Sequence, residues 1–150
     1  MKITCDRNDL VKAINIVIKA VPSRTTMAIL ESILIDTTDG SIRLTATDSE
    51  LGIETVMPGM IEEKGMIALN AKVLFEMVRK LPDAAVEITS DENFYTTVRC
   101  ARSVFNIPGQ DGEEFSALPV VEKTSPVVIS QFRLREMIRQ TLFSAAQNDS

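Results

Sequence analysis

Residues 65–83 read Gly65-Met66-Ile67-Ala68-Leu69-Asn70-Ala71-Lys72-Val73-Leu74-Phe75-Glu76-Met77-Val78-Arg79-Lys80-Leu81-Pro82-Asp83. Gly65 to Leu69 reads as a strand, and Asn70 is a helix N-cap residue. Ala71 to Leu81 then reads as a helix, and Pro82-Asp83 ends it. Three strand candidates follow: Ala85 to Thr89, Phe94 to Cys100 and Ser103 to Ile107. The turn between the first two is Ser90-Asp91-Glu92-Asn93.

The same order stands upstream. Lys2 to Cys5 alternates as a strand does, and Asp6 or Asn8 offers the N-cap of a helix running to about Val21. Leu10, Val11, Ile14, Val17, Ile18 and Val21 form its apolar face, and Pro22 stops it. Ser32 to Thr37, Ser41 to Thr47 and Leu51 to Met57 are the strands, with Thr38-Asp39-Gly40 as a hairpin turn. Downstream a third copy begins: Val127 to Ile129 as strand, Ser130 as N-cap, and Gln131 to about Ala146 as helix. Glu136-Met137-Ile138-Arg139 there repeats Glu76-Met77-Val78-Arg79. A unit of about 60 residues repeated in this way implies quasi-equivalent modules. The expected class is α+β, with two helices packed on one face of an antiparallel sheet. The expected division is a first domain over residues 1–122, a linker at 123–126, and the opening of a second domain over 127–150, which predicts a longer natural protein.

The composition narrows the chemistry. With 150 residues, 45% of them hydrophobic, there is material for one domain plus part of another. No apolar run approaches the ~20 residues of a membrane span. Met1 to Asp6 lacks the basic-then-apolar order of a signal peptide, so a cytoplasmic protein without membrane association is expected. Cys5 and Cys100 are far apart, without metal-ligand spacing, and read as buried thiols. Histidine is absent, which removes the commonest general base and metal ligand. Ser49, Ser103 and Ser144 therefore have no triad partner, and no glycine-rich phosphate loop occurs. Asp48 and Glu50 would share a face if they lay on a strand, which keeps a carboxylate-dependent enzyme as an alternative. No catalytic residue, cofactor or metal is expected.

The formal net charge of -5 argues mildly against a nucleic-acid binder, but the distribution matters more than the sum. On a helical wheel Lys12, Asn15 and Lys19 form one stripe without a carboxylate, and the rest of the circumference is apolar, including Ala13, Ile16 and Ala20. Placing Leu74 on Leu10 puts Lys72 and Arg79 on one face, with Lys80 beside them and Glu76 among them. In the third helix Arg135 and Arg139 are i, i+4 neighbours, and Arg139 takes the register of Arg79. The acids fall elsewhere, at Glu62-Glu63, Asp91-Glu92, Asp111 and Glu113-Glu114. Helices that offer cations at matched register suit a phosphate backbone contacted without regard to sequence. Aromatic residues do not interleave with these cations, so stacking on single strands is not expected. A protein-interaction module of the same fold without a DNA role is the second alternative, and salt-independent behaviour toward duplex would mark it.

Met1-Lys2-Ile3-Thr4, Arg24 after the first helix, Ile29-Leu30, Leu44 to Glu50, Leu81-Pro82, Arg102 to Ile107, Phe115 to Pro119 and Thr141 to Ala146 stand in this order along the chain. Together they resemble the beta subunit of bacterial DNA polymerase III, the sliding clamp. Ala28 departs from the proline usual in that family. The resemblance implies helices lining a central hole, three domains in each subunit, and two subunits closed head to tail as a ring around double-stranded DNA. It implies DNA contacts at Arg24 and Asn148, to which the helix cations Lys12, Lys19, Lys72, Arg79, Arg135 and Arg139 are added by register. It also implies that the strand carrying Arg102, Phe105 and Ile107 is an edge joining the neighbouring subunit, so Phe105 and Ile107 should be unusually exposed. The implied partners are the replicative polymerase and the clamp loader, and no enzymatic activity is implied.

Overall fold

A computed structural model describes residues 1–116, 118 and 126–145. The chain divides into two compact units, Met1–Leu118 and Pro119–Ser150.

In the first unit β1 (Lys2–Asp6) leads into α1 (Arg7–Val17). Asp6 is the cap: its carboxylate accepts the N–H groups of Asn8 at 2.8 Å and Asp9 at 3.3 Å. α1 tightens into a 3-10 turn at Ile18–Ala20 before Pro22, so the regular helix is shorter than its apolar pattern. A 3-10 turn over Ala28–Glu31 precedes β2 (Ser32–Asp36), β3 (Ile42–Thr47), β4 (Gly52–Met57) and β5 (Met60–Glu63). The second half is β6 (Met66–Asn70), α2 (Ala71–Lys80), β7 (Ala85–Ser90), β8 (Tyr95–Cys100) and β9 (Ser103–Asp111). Asn70 caps α2 as expected, with its side chain accepting from the Val73 N–H at 3.1 Å.

The strands form one antiparallel sheet in the order β4-β3-β2-β6-β9-β8-β7-β1-β5. Its two outermost strands are consecutive in the chain, joined only by Pro58-Gly59. Three peptide steps reach at most about 11 Å. A flat sheet of nine strands would hold its edges roughly 38 Å apart. The sheet therefore curls until its ends meet. Leu10, Ile14 and Val17 of α1 and Leu74, Met77 and Val78 of α2 are buried in one cluster with Ile3, Ile33, Ile35, Leu44, Ile67, Leu69, Val86, Ile88 and Val98 of the sheet. The two helices lie against each other.

The internal repeat extends further than the periodicity suggests. β9 is nine residues long and crosses from β8 to β6 at Pro108-Gly109. β4 and β5 do the same through Pro58-Gly59, from β3 to β1. Thr4 pairs with Met60 where Ala68 pairs with Gln110, and Ile3 with Ile61 where Ile67 pairs with Asp111. Proline interrupts a ladder at such a corner, where one neighbour strand is exchanged for another. β5, absent from the sequence expectation, completes this symmetry.

In the second unit Ser130 caps α3 (Gln131–Thr141), accepting from the Arg133 N–H at 3.3 Å, and a 3-10 turn follows at Leu142–Ser144. The strand expected at Val127 to Ile129 does not form. A strand exists only through a ladder, and among the described residues of this unit there is no second strand to pair with. Of the expected linker at 123–126, only Pro126 falls among the described residues.

Both cysteines are buried and unpaired. Cys5 and Cys100 stand opposite Val86 on its two flanks, in β1 and β8. Two strand spacings separate their backbones by roughly 9.5 Å, beyond the ~7 Å a disulfide can span. Burial, aided by nearby Asp6, pushes the Cys5 thiol up to about 12. Oxidation is therefore expected to leave no internal disulfide. Alkylation at pH 8 should modify Cys5 only in denaturant, as followed by intact mass. Rapid labelling of Cys5 in native buffer would refute this.

Candidate nucleic-acid interface

Arg24 is exposed in the segment between the 3-10 turns Ile18–Ala20 and Ala28–Glu31, and among the described residues it has no ion-pair or hydrogen-bond partner. Lys12, Asn15 and Lys19 are also exposed. Lys19 lies beyond the end of α1, in the Ile18–Ala20 turn, so the stripe is not one straight helical row. Nor is it free of carboxylate: the Lys12 ammonium sits 3.0 Å from Asp9 Oδ1, one turn earlier. Such an exposed i, i+3 pair is weak and screened by salt, so Lys12 keeps most of its reach. Ile16, part of the apolar circumference, is 46% exposed beside these cations. A helix resting on one sheet and one neighbour leaves part of its circumference to solvent.

On α2, Lys72 is exposed and has no ion-pair partner among the described residues. Arg79 is more restrained. Its guanidinium lies 5.1 Å from the Phe75 ring centroid and 4.0 Å from Glu76 Oε1. Glu76 Oε2 is 3.9 Å from the Lys80 ammonium, so one carboxylate serves two cations. In the second unit Arg135 is exposed, and Arg139 lies 3.6 Å from Glu136. Asn148 lies outside the described residues.

Three further acids of the first unit are paired with cations outside this set. Glu62 holds Lys2, while Asp39 and Glu54 hold Arg43. Asp48 does not share a strand face with Glu50. It lies in the β3–β4 turn, where its carboxylate accepts the N–H groups of Leu51 at 2.6 Å and Glu50 at 2.9 Å. Those bonds hold its carboxyl below the usual carboxylate range. This is turn chemistry, not a general acid or base.

The edge reading needs two corrections. Arg102 is exposed but sits in the turn before β9. Ile107, expected to be exposed, is only 3% exposed and belongs to the core. Phe105, two residues away on the same strand face, is 41% exposed. Residues 103–107 of β9 pair with β8 alone among the described strands, leaving their other edge open. Beside that edge lies a hollow of about 320 Å³ lined by Val73, Glu76, Met77 and Lys80 of α2 with Phe105, Asn106 and Ile107. Sequence reasoning missed the α2 side of this hollow. The 50% exposure of Val73 marks it in the structure, but periodicity alone does not.

Residues 1–119 match the family of DNA polymerase III beta subunit N-terminal domains. The chain belongs to that family. Beta sliding clamps of Halalkalibacterium halodurans and Bacillus subtilis are 38% and 35% identical to it over 158 aligned positions. In both cases all of this chain is covered, and 42% of the relative. Among solved structures, one from Eubacterium rectale described as a DNA polymerase III beta subunit superposes with a TM-score of 0.95 at 55% identity, over 100% of this chain and 41% of its own. The Bacillus subtilis DNA polymerase sliding clamp superposes at 0.94 and 35% identity, over 100% of this chain and 42% of its own. The chain thus spans about two-fifths of the length of these relatives. No helix among the described residues is long and apolar enough to cross a membrane.

Proposed function

We propose that this chain contributes the first domain, over residues 1–122, and the opening of the second, over residues 127–150, to a ring-shaped processivity clamp. The ring encircles duplex DNA and tethers the replicative polymerase. Its partners are double-stranded DNA, that polymerase, the clamp loader and a second subunit joined head to tail, in the cytoplasm. It catalyses no reaction. Arg24, Lys12, Lys19, Lys72, Arg79, Arg135, Arg139 and Asn148 face the phosphates, and β9 with Phe105 and the neighbouring Arg102 joins the partner subunit.

The observation that carries this reading is the state of three cations. Arg24, Lys19 and Lys72 are exposed and without carboxylate partners among the described residues, in a chain of net charge -5. Uncommitted positive charge on an otherwise acidic protein is suited to long-range, sequence-blind attraction to phosphate. A closed ring cannot leave duplex sideways, so each contact can stay weak enough to permit sliding. A polymerase held by the ring then works at a high effective DNA concentration.

Arg24→Ala in the full-length protein tests it. Duplex affinity should fall similarly on two unrelated sequences, and the slope of log affinity against log salt should shrink by about one unit. Thermal stability should change by less than about 0.5 kcal/mol, since the side chain is exposed and has no bonding partner among the described residues. An unchanged slope, or a loss confined to one sequence, would remove Arg24 from the interface.

A further inference from the structure

We propose that Arg7 is a positioning residue that holds Arg79 in place for the duplex, an inference that rests on the DNA reading above. Arg7 opens α1, where the positive end of that helix makes a cation unfavourable. Its side chain serves the other helix instead. Arg7 Nη2 donates to the backbone carbonyl of Arg79 at 2.7 Å, and Nη1 donates to Asn8 Oδ1 at 3.0 Å. Asn8 Nδ2 in turn donates to Asp83 Oδ1 at 2.7 Å, so both ends of that amide are used. The first two residues of α1 are thereby fastened to the last turn of α2 and to the loop after it, across 72 and 75 positions of sequence.

The Arg79 carbonyl is one of the four that a helix end leaves without an intrahelical donor. The N–H of Leu81, which closes α2, goes to Val78. A cation at that negative helix end is favoured electrostatically as well as by the hydrogen bond. The bond therefore fixes the backbone of the residue whose own guanidinium lies over Phe75 and against Glu76. An arginine with pinned backbone and stacked side chain loses less freedom when it meets a phosphate.

The internal repeat argues that this fastening is not required by the fold. The residue after the cap is Arg7 in the first copy and Ala71 in the second, where it is 1% exposed and packed in the core. Among the described residues the second copy opens its helix without a polar clamp. The clamp that the first copy carries falls on the residue that the DNA reading places at the phosphate backbone.

The test is a double-mutant cycle on the full-length protein, with duplex affinity measured across salt concentrations for wild type, Arg7→Met, Arg79→Ala and the pair. Methionine keeps the packing of the stem and removes the donors. Arg7→Met should weaken binding by about threefold to tenfold, and the pair should bind no more weakly than Arg79→Ala alone. Arg7→Lys, which keeps a charged donor within reach of the carbonyl, should restore affinity to within about twofold. If Arg7→Met does not fold, Asn8→Ala takes its place in the cycle, since it removes the second anchor of Arg7. Additive losses would overturn the proposal, because Arg7 would then act independently of Arg79, as scaffold or as a contact of its own. So would an Arg79→Ala variant of wild-type affinity, even if Arg24→Ala still weakened binding and the DNA reading stood. A wild-type protein without salt-dependent duplex affinity would remove the DNA reading itself, and the proposal with it.

Discussion

Gly109→Ala is expected to destabilise the Met1–Leu118 unit by about 2–4 kcal/mol. A Cβ built at Gly109 would stand 2.7 Å from the carbonyl oxygen of Phe94 and 2.7 Å from Ile67 Cδ1. The first of these is backbone and cannot rotate away. It also accepts the Gly109 N–H at 2.9 Å, so relief of the clash breaks a hydrogen bond at the corner where β9 changes partners. The same geometry recurs at Gly59, where a Cβ would lie 2.9 Å from the Thr4 carbonyl oxygen and 2.5 Å from Ile42 Cδ1. Each variant should lower the melting temperature by roughly 10 °C, given the enthalpy of a unit this size. Differential scanning calorimetry reads this directly. Melting within 2 °C of wild type for both variants, on the order of 0.5 kcal/mol, would mean that the corners yield easily and that the tight approach is not structural.

These corners also show where sequence reading stops. The caps were legible because their chemistry is local: Asp6, Asn70 and Ser130 each accept helix N–H groups two or three residues on. The strand-helix-strand order was legible because burial imposes a period on each element. β5 was not, because Met60-Ile61-Glu62-Glu63 is short, acidic and follows Pro-Gly, with only Ile61 partly covered. The repeat of Pro58-Gly59 as Pro108-Gly109 could have pointed to it. Val127 to Ile129 failed in the opposite way: its composition favours a strand, but pairing is set by distant residues. In the site, exposure of the helix cations followed from their spacing. What restrains them did not. Asp9 lies one turn before Lys12, outside the Lys12-Asn15-Lys19 stripe, and the Arg7–Arg79 link joins residues 72 positions apart. Period two puts Phe105 and Ile107 on one face but says nothing of depth, which depends on how far α2 reaches over β9.

That difference in depth makes Phe105 the sharper probe of the proposed subunit contact. Among the described strands residues 103–107 present an unpaired row of backbone groups on one side, beside a hollow in which Phe105 and Val73 are half exposed. An open edge of this kind must be covered or paired, or it invites aggregation. In the proposed ring it receives the edge of a second subunit, and Phe105 becomes a buried anchor near the centre of the contact. Phe105→Asp in the full-length protein would bury an unpaired carboxylate there, so subunit association should weaken by at least about 100-fold. Folding should change by no more than about 1 kcal/mol, because the side chain is already partly in water. Ile107→Ala gives the contrast. At 3% exposure it should cost about 2–4 kcal/mol of fold stability through the cavity it leaves, and its effect on association would follow from that loss. Sedimentation velocity at several protein concentrations measures association, and calorimetry measures folding. A Phe105→Asp protein that folds normally and assembles as wild type does would exclude this edge from the subunit contact.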